Sequence, residues 1–234
     1  MTTRCKFIFK LLSVLLFLYS INLVAGTTDI EVKKFNEYKA QAETGNTGAQ
    51  YHLASCYMNG QGTGKSMELA VLWWRKAADR GLVQAQTALG LCYLGLGGVP
   101  KDASIAARWF KIASDNNYPR ATFYLGTLYS TGEGVEKDIN LAVVLWKKAA
   151  LAGSADAQDK IAYCYFKGDG VPKSEVEAYA YWAASGKEVG GRTIASLMEP
   201  TLPKGKLMEA LKRAQELSTE IARNKAALQI KNNR

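Results

Sequence analysis

The sequence is poorly supplied with the residues on which enzyme active sites depend. It contains one histidine, His52, among 234 residues, so neither a site of several histidines for a metal ion nor a triad with a histidine base is available. The carboxylates offer no pair either. Glu175 and Glu177 stand two residues apart, and residues at that spacing do not share a face of a helix. The composition therefore predicts a protein that is not an enzyme and that uses neither a cofactor nor a metal ion.

Cysteine is scarce and regularly placed. Of the four cysteines, Cys5 lies near the N-terminus, and Cys56, Cys92 and Cys164 each stand one residue before a tyrosine. The last three stand at one equivalent position of a 36-residue repeat, which is described below. Equivalent positions of stacked helices lie about 10 Å apart, beyond the roughly 7 Å that a disulfide tolerates. We therefore expect three buried free thiols and no disulfide.

Long apolar runs are absent after residue 26. Three basic residues within the first ten precede an apolar run over 11–25, which ends at the small residues Ala25 and Gly26. This pattern is typical of a secretory signal peptide, and the run is short for a membrane-spanning helix. We expect cleavage near Ala25 or Gly26 and a periplasmic or secreted protein, and an uncleaved signal anchor is the alternative.

Positive charge is in excess but is not spread along the chain. The net charge is +9, and residues 204–234 hold eight Lys or Arg and three Glu, a net of +5. A protein that binds nucleic acid needs basic residues clustered along its binding surface. The rest of this chain has no such stripe, so we predict no nucleic-acid partner. The basic C-terminal segment is typical of a solvated capping face, and weak contact with a membrane surface through residues 204–234 is the alternative.

What the chain does have is a repeat of 36 residues. Each copy reads as two helices joined by a glycine loop, and four copies at a fixed period indicate a repeat protein. Small residues open the first helix, a tyrosine ends it, and a large aromatic residue lies in the second helix. These positions are Ala49, Ala85, Ala121 and Ala157; Tyr57, Tyr93, Tyr129 and Tyr165; and Trp74, Phe110, Trp146 and Trp182. Stacked helix pairs of this kind bury a continuous core.

The period divides the chain into seven segments. We predict a signal peptide (1–26), an N-terminal capping helix (27–47), four repeats (48–83, 84–119, 120–155 and 156–188) and a partial repeat followed by a basic C-terminal capping helix (189–234). The last helix is expected to place Leu207, Leu211, Ala214, Leu217, Ile221 and Leu228 along one face. The predicted fold is all-α: a right-handed α/α superhelical solenoid of helix pairs with capping helices at both ends.

The repeat resembles the Sel-1-like repeat family, a relative of the tetratricopeptide repeats. The third repeat matches the pattern most fully, through Ala121, Leu125, Gly126, Tyr129, Gly132, Gly134, Val135, Asp138, Ala142, Trp146, Lys148, Ala149, Ala150 and Gly153. The first repeat departs from it at Thr63 and Ser66, and the fourth at Ser185 and Gly186. The resemblance implies an α/α solenoid that serves as an adaptor, often in exported bacterial proteins that bind other proteins, and it implies no shared catalysis.

One stretch imitates a nucleotide-binding loop. Gly64, Lys65 and Ser66 match the end of the phosphate-binding pattern G-x-x-x-x-G-K-S, but Asn59 stands where its first glycine belongs. The stretch also follows a helix, whereas a P-loop follows a strand. We therefore interpret its glycines as loop residues of the first repeat.

The first helices carry a candidate binding surface. Positions that vary between repeats, at i, i+3 and i+7, share one face of each helix, and first helices in folds of this type line the concave surface. This candidate stripe comprises His52, Ser55, Asn59, Leu91, Tyr124, Thr127, Lys160, Tyr163 and Lys167. Tyr124 and Tyr163 are the expected anchors, since aromatic residues dominate binding hot spots. A plain solvated face remains the alternative.

These features predict an exported, non-enzymatic scaffold or adaptor that binds a protein or peptide, in envelope signalling or in host-cell interaction. A cell-wall (peptidoglycan-related) enzyme or binding factor is one alternative. A membrane-peripheral protein that uses its basic C-terminal helix is another.

Overall fold

The computed structural model describes residues 29–186, 188–189 and 192–232, and the side chains of 29–186 and 193–230. The predicted signal peptide lies outside this part of the chain. The described residues fall into two compact units. The first combines the chain up to Ala85 with Gly97–Val99, and the second combines Gln86–Leu96 with the chain from Pro100 onwards.

The helices follow the predicted period. Helix α1 covers 29–43. It is followed by α2 (Thr47–Asn59), α3 (Met67–Asp79), α4 (Val83–Leu91) with a π-helical end (Cys92–Leu96), α5 (Ala103–Asp115), α6 (Pro119–Thr131), α7 (Ile139–Leu151), α8 (Ala155–Lys167), α9 (Glu175–Ser185), α10 (Ile194–Met198) with a 3₁₀ turn (Glu199–Thr201), and α11 (Lys204–Asn232). Two strands of two residues, β1 (Glu188–Val189) and β2 (Arg192–Thr193), form an antiparallel hairpin. Since this hairpin is the only non-helical element among the described residues, the all-α prediction is confirmed.

Capping residues fix where the helices begin. The side chains of Asn46, Asp102 and Asp138 each accept a hydrogen bond from the backbone amide three residues later, at 2.9–3.0 Å. Ser66 does the same for α3. A cap of this kind satisfies one of the free amides at a helix start. Ser66, which occupies the serine position of the apparent nucleotide-binding loop, therefore has a structural role in this fold.

The first unit packs α1 against the helix pair α2–α3. Phe35, Ala42, Leu53 and Cys56 are buried together, and the ring of Phe35 meets Tyr57 edge-on at 5.4 Å. The N-terminal helix thus covers the apolar flank of the first helix pair, which is the task of a cap in a repeat protein.

The second unit has a larger core that continues from α7 to α11. Trp146, Ile161, Trp182 and Leu217 are buried within one hydrophobic cluster. Small residues let the two helices of a pair approach closely. A Cβ added at Gly126 would lie 2.9 Å from Cδ1 of Trp146, closer than real side chains pack, so the glycine lets α6 approach α7 at this point.

Buried polar side chains, which the repeat pattern did not single out, tie consecutive helix pairs together. Nε2 of Gln50 donates to the carbonyl oxygen of Ala42 at 3.2 Å, and Nε2 of Gln158 donates to that of Ala150 at 3.0 Å. Both glutamines are 3% exposed. Each therefore carries a hydrogen bond from the start of a first helix to the end of the preceding second helix.

The C-terminal helix differs from its expected face at one position. Ala210, Leu217 and Ile221 are buried, whereas Leu211 is 49% exposed, so its assignment to the inner face was wrong. The seam of contact advances alternately by three and four residues, through the partly buried Leu207 and Ala214 and the buried Ala210, Leu217 and Ile221. Leu211 lies one residue beside it. A step of one residue turns a side chain by about 100° around the helix, which carries Leu211 out of the contact.

Candidate protein-interaction surface

In the first unit, the candidate stripe consists of three residues of α2. His52 is exposed, and its ring stacks on Tyr38 of α1 at a centroid distance of 5.1 Å. Ser55 donates its hydroxyl to the carbonyl oxygen of Tyr51 at 3.0 Å, and Asn59 is the exposed last residue of the helix. His52 thus lies in an aromatic contact with Tyr38.

In the second repeat, the stripe position is half-buried. Leu91 is the last residue of α4, directly before the π-helical residues Cys92–Leu96. Gly95 within that segment has a φ of +115°, so the first helix of this repeat ends differently from the others. Leu91 thus places an apolar side chain directly before the irregular end of this helix.

In the third repeat, the expected anchor Tyr124 already packs against another residue of the protein. Tyr124 is half-buried and stacks on Phe110 with a centroid distance of 5.2 Å. Thr127 donates its hydroxyl to the carbonyl oxygen of Phe123 at 3.1 Å. One face of the Tyr124 ring is therefore occupied within the protein, and the part left to a partner is smaller than the sequence suggested.

The fourth repeat presents the most open part of the stripe. Tyr163 is 50% exposed, and Nζ of Lys167 lies 5.8 Å from the centre of its ring. Lys160, one turn earlier on α8, is exposed. The structure thus brings two of the predicted stripe residues, Tyr163 and Lys167, together in a cation–π arrangement.

Sequence reasoning missed Phe166 at this surface. It is 38% exposed, and the ammonium groups of Lys167 and Lys173 lie 5.9 and 6.0 Å from its ring centre. It was overlooked because it follows the repeat tyrosine Tyr165 and belongs to no recurring position. A large aromatic residue where the other repeats carry Met58, Leu94 and Ser130 was the available signal. We call Lys160, Tyr163, Phe166, Lys167 and Lys173 the α8 patch.

The α8 patch rests on a rigid support. The indole nitrogen of Trp182 donates to Oδ1 of Asp159 at 3.0 Å, and the Trp182 ring packs against Phe166 at 5.6 Å. On the opposite side of α8, Ile161 and Cys164 are buried. The exposed aromatic side chains of Tyr163 and Phe166 therefore belong to a helix that is packed into the core.

The thiols are buried, as predicted. Cys56, Cys92 and Cys164 are free and buried, and burial raises the pKa of all three, that of Cys92 to about 11. A thiol with a raised pKa holds little of the reactive thiolate at neutral pH. These cysteines are therefore small core residues.

The described part of the chain offers no candidate metal site. No group of three or more His, Cys, Asp or Glu side chains there could hold a metal ion. A cavity of about 350 Å³ in the second unit is lined mainly by apolar or neutral side chains, among them Pro119, Leu151 and Leu228, with Lys148 as its charged residue. The side chains around it include no acid–base pair.

None of the helices among the described residues is both long enough and apolar enough to cross a membrane.

Comparison with known proteins agrees with the repeat. The Sel1 repeat model matches residues 47–82, 83–118, 119–154 and 155–187, segments that coincide with the four helix pairs. No curated protein matches the chain significantly in sequence.

Solved structures of similar fold come from several bacteria. A protective antigen of uropathogenic Escherichia coli with an SLR fold is 30% identical, with a TM-score of 0.71 over 83% of this chain and 43% of the antigen. A Sel1 repeat protein of Oxalobacter formigenes is 30% identical, with a TM-score of 0.65 over 74% of this chain and 50% of that protein. An immunity protein of Pseudomonas aeruginosa, 21% identical with a TM-score of 0.50 over 80% of this chain and 74% of its own, shares the fold.

This chain spans half or less of the first two of these structures. The family match covers more than half of the chain, and the helix pairs, loop glycines and buried aromatic residues agree with it. The chain belongs to the Sel1 repeat family, whose repeats typically mediate contacts between proteins.

Proposed function

We propose that this protein is an exported, non-enzymatic scaffold that binds a segment of another protein through the first helices of its third and fourth repeats, α6 and α8. The α8 patch is the centre of that contact. The family supports the general role, and the exposure of two aromatic residues beside lysines supports the location.

The carrying observation is the pair Tyr163 and Phe166, which are 50% and 38% exposed on one turn of α8. Each ring leaves a large part of its surface in solvent, where a partner can cover it. Together with a cation they form the combination from which binding hot spots are built. Because Lys167 lies within 6 Å of both rings, a partner can meet aromatic and cationic groups at one place.

Preorganisation favours binding at this patch. The hydrogen bond from Trp182 to Asp159 and the contact between Trp182 and Phe166 hold the surface before a partner arrives. A surface that is already ordered loses less conformational entropy on binding. Tyr124 extends the contact in the third repeat through the part of its ring that Phe110 does not cover.

Export rests on the signal-peptide pattern of residues 1–26 and fits the similarity to a bacterial protective antigen. In this setting the partner would belong to the cell envelope or to a host cell. Mass spectrometry of the protein recovered from fractionated cells tests this step. A mature chain that begins after Ala25 or Gly26, outside the cytoplasmic fraction, is expected, and an intact N-terminus in the cytoplasm would refute export.

Site-specific photocrosslinking in living cells tests the surface. A photoreactive phenylalanine analogue replaces Tyr163, and in a matched control it replaces Val144, which is 61% exposed on the second helix α7. We expect a discrete adduct with one protein at position 163 and none at 144. Equal adducts at both positions, or none at 163, would contradict the assignment of the α8 patch.

The captured protein is then purified and its affinity measured by calorimetry. Tyr163→Ala combined with Phe166→Ala is expected to weaken binding about 10- to 1,000-fold, because truncating a hot-spot aromatic residue costs more than about 1 kcal/mol and frequently about 2. Val144→Ala should leave the affinity unchanged. An unaltered affinity of the double variant, with helicity intact by circular dichroism, removes the patch from consideration.

A further inference from the structure

The inner face of the C-terminal helix α11 packs against the preceding helices. Ala210, Leu217 and Ile221 are buried against the preceding helices. Two basic residues beside this seam are paired with α9. Nε of Arg213 donates to Oε1 of Glu177 at 2.7 Å, and Nζ of Lys206 donates to Oε2 of Glu175 at 2.9 Å. The seam and these two ion pairs hold α11 against the rest of the second unit.

The opposite face of α11 is apolar at both ends. Met208 is 67% exposed, Leu211 49% and Ile230 61%. At about 100° per residue, all three lie within about 60° of one line along the helix. The positions between them on this line, Gln215, Thr219, Ala222 and Ala226, are small or uncharged, and all four are exposed.

Charge on this outer face has one sign. Lys204, Lys212 and Arg223 lie on it, while the three acidic residues of the helix are at Glu209, Glu216 and Glu220. Those acidic residues follow one another at intervals of seven and four residues, which places them along a separate edge, about 80–120° from the line through Met208. An ion pair reaches across from Lys212 to Glu216, but it is 4.0 Å long, and its lysine side chain is 80% exposed. The face therefore presents net positive charge to solvent.

We propose that the outer face of α11 binds the surface of an anionic lipid bilayer. Two observations favour a bilayer over a protein. Met208 and Ile230 are 22 residues apart, about 33 Å along the helix, and a flat, extended surface can meet both at once. Basic residues interleaved with exposed apolar residues on one face are also what an interfacial helix needs, since its apolar side chains enter the headgroup boundary and its lysines meet lipid phosphates.

The binding is peripheral and sensitive to salt. Each basic residue near an anionic membrane surface strengthens the attraction, and that contribution falls as the Debye length shortens from about 10 Å at 0.1 M salt to about 3 Å at 1 M. Three exposed apolar residues alone bury too little surface to hold the protein on an uncharged bilayer. The two contributions are expected to act together.

Co-sedimentation of the purified protein with vesicles tests the proposal. We expect at least about tenfold tighter binding to vesicles containing 30% phosphatidylglycerol in phosphatidylcholine than to pure phosphatidylcholine, and loss of that binding in 0.5 M NaCl. Met208→Ser combined with Ile230→Ser, and separately Lys204→Glu combined with Lys212→Glu, should each weaken binding about tenfold. All four residues are exposed, so the helix content of the variants should match that of the parent protein.

Matched controls replace exposed residues elsewhere. Val144→Ser removes an equally exposed apolar side chain from α7, and Lys39→Glu reverses the charge of an exposed lysine of α1; neither should alter vesicle binding. Equal binding to both kinds of vesicle, or equal losses in the controls and the α11 variants, would overturn the proposal. So would a protein partner that contacts Met208 while the vesicles remain unbound. The photocrosslinking at Tyr163 reports on a different surface, so the two proposals can fail separately.

Discussion

Gly134 lies directly against the start of α5, so close to Ala103 that a side chain could not be placed there. A Cβ added at Gly134 would lie 2.5 Å from the carbonyl oxygen of Ala103. The same relationship occurs 36 residues earlier, where a Cβ at Gly98 would lie 2.5 Å from the carbonyl oxygen of Met67. The second loop glycine of a repeat is thus needed both for its positive φ and for contact with the preceding second helix.

Gly134→Ala is expected to destabilise the protein by about 2–5 kcal/mol. The left-handed backbone, with φ at +73°, costs a residue with a Cβ about 1–2 kcal/mol, and the overlap with α5 adds about 1–3 kcal/mol. Urea denaturation followed by circular dichroism measures the loss. Gly205→Ala is the control, because Gly205 lies in α11 with open space around it and should be neutral or slightly stabilised. Equal effects of the two substitutions would disprove the close-contact role.

Gln158→Leu should lower the free energy of unfolding by about 1–2 kcal/mol. The substitution keeps most of the buried volume but removes the hydrogen bond from Nε2 to the carbonyl oxygen of Ala150, and a bond of this kind contributes about 1 kcal/mol. Gln215→Leu, on the exposed face of α11, serves as the control and should stay within about 0.5 kcal/mol of the parent protein. A neutral Gln158→Leu would mean that the buried amide does not tie the two repeats together.

The ion pair between Arg213 and Glu177 should contribute measurably to the docking of α11. Its two side chains are 29% and 25% exposed, and Nε lies 2.7 Å from Oε1. A double-mutant cycle with alanine at both positions is expected to give a coupling energy of about 1 kcal/mol, at the upper end of what partly exposed pairs yield. The same cycle on Lys212 and Glu216, which are 80% and 53% exposed, should give a coupling indistinguishable from zero. Similar values for the two pairs would show that burial does not strengthen the first.

Stability should fall in alkaline solution because of Cys92. Burial raises the pKa of this thiol from 9.0 to about 11. Between these two values the unfolded thiol has lost its proton while the native thiol keeps it, so a rise in pH favours unfolding. The contribution is complete below about pH 9 and is lost as the pH approaches 11. Urea midpoints at pH 8 and pH 10.5 should fall less steeply in Cys92→Ala than in the parent protein, and parallel declines would contradict this assignment.

Much of the fold was predictable from spacing. Alanine, tyrosine and tryptophan at a period of 36 placed the helix pairs, because stacked copies of one unit must bury equivalent positions. Ala121 and Trp146 are buried as expected. Binding residues are harder to predict from spacing, because exposed side chains need not recur at the same position of each repeat. Phe166 was missed for that reason, and the stacking of Tyr124 on Phe110 could not be read from positions that are 14 residues apart.

The sequence by itself determined the repeat, the family and the helix pairs, because these depend on local periodicity and on glycine at fixed loop positions. Only the tertiary structure decided which exposed residues stand together. Leu211 was expected on the inner face of α11 and lies on its outer face, because the way the helix packs on its neighbours decides which side chains are buried. In the same way, the contact between Lys167 and both Tyr163 and Phe166 depends on side-chain directions, which are settled when α8 is fixed against α9.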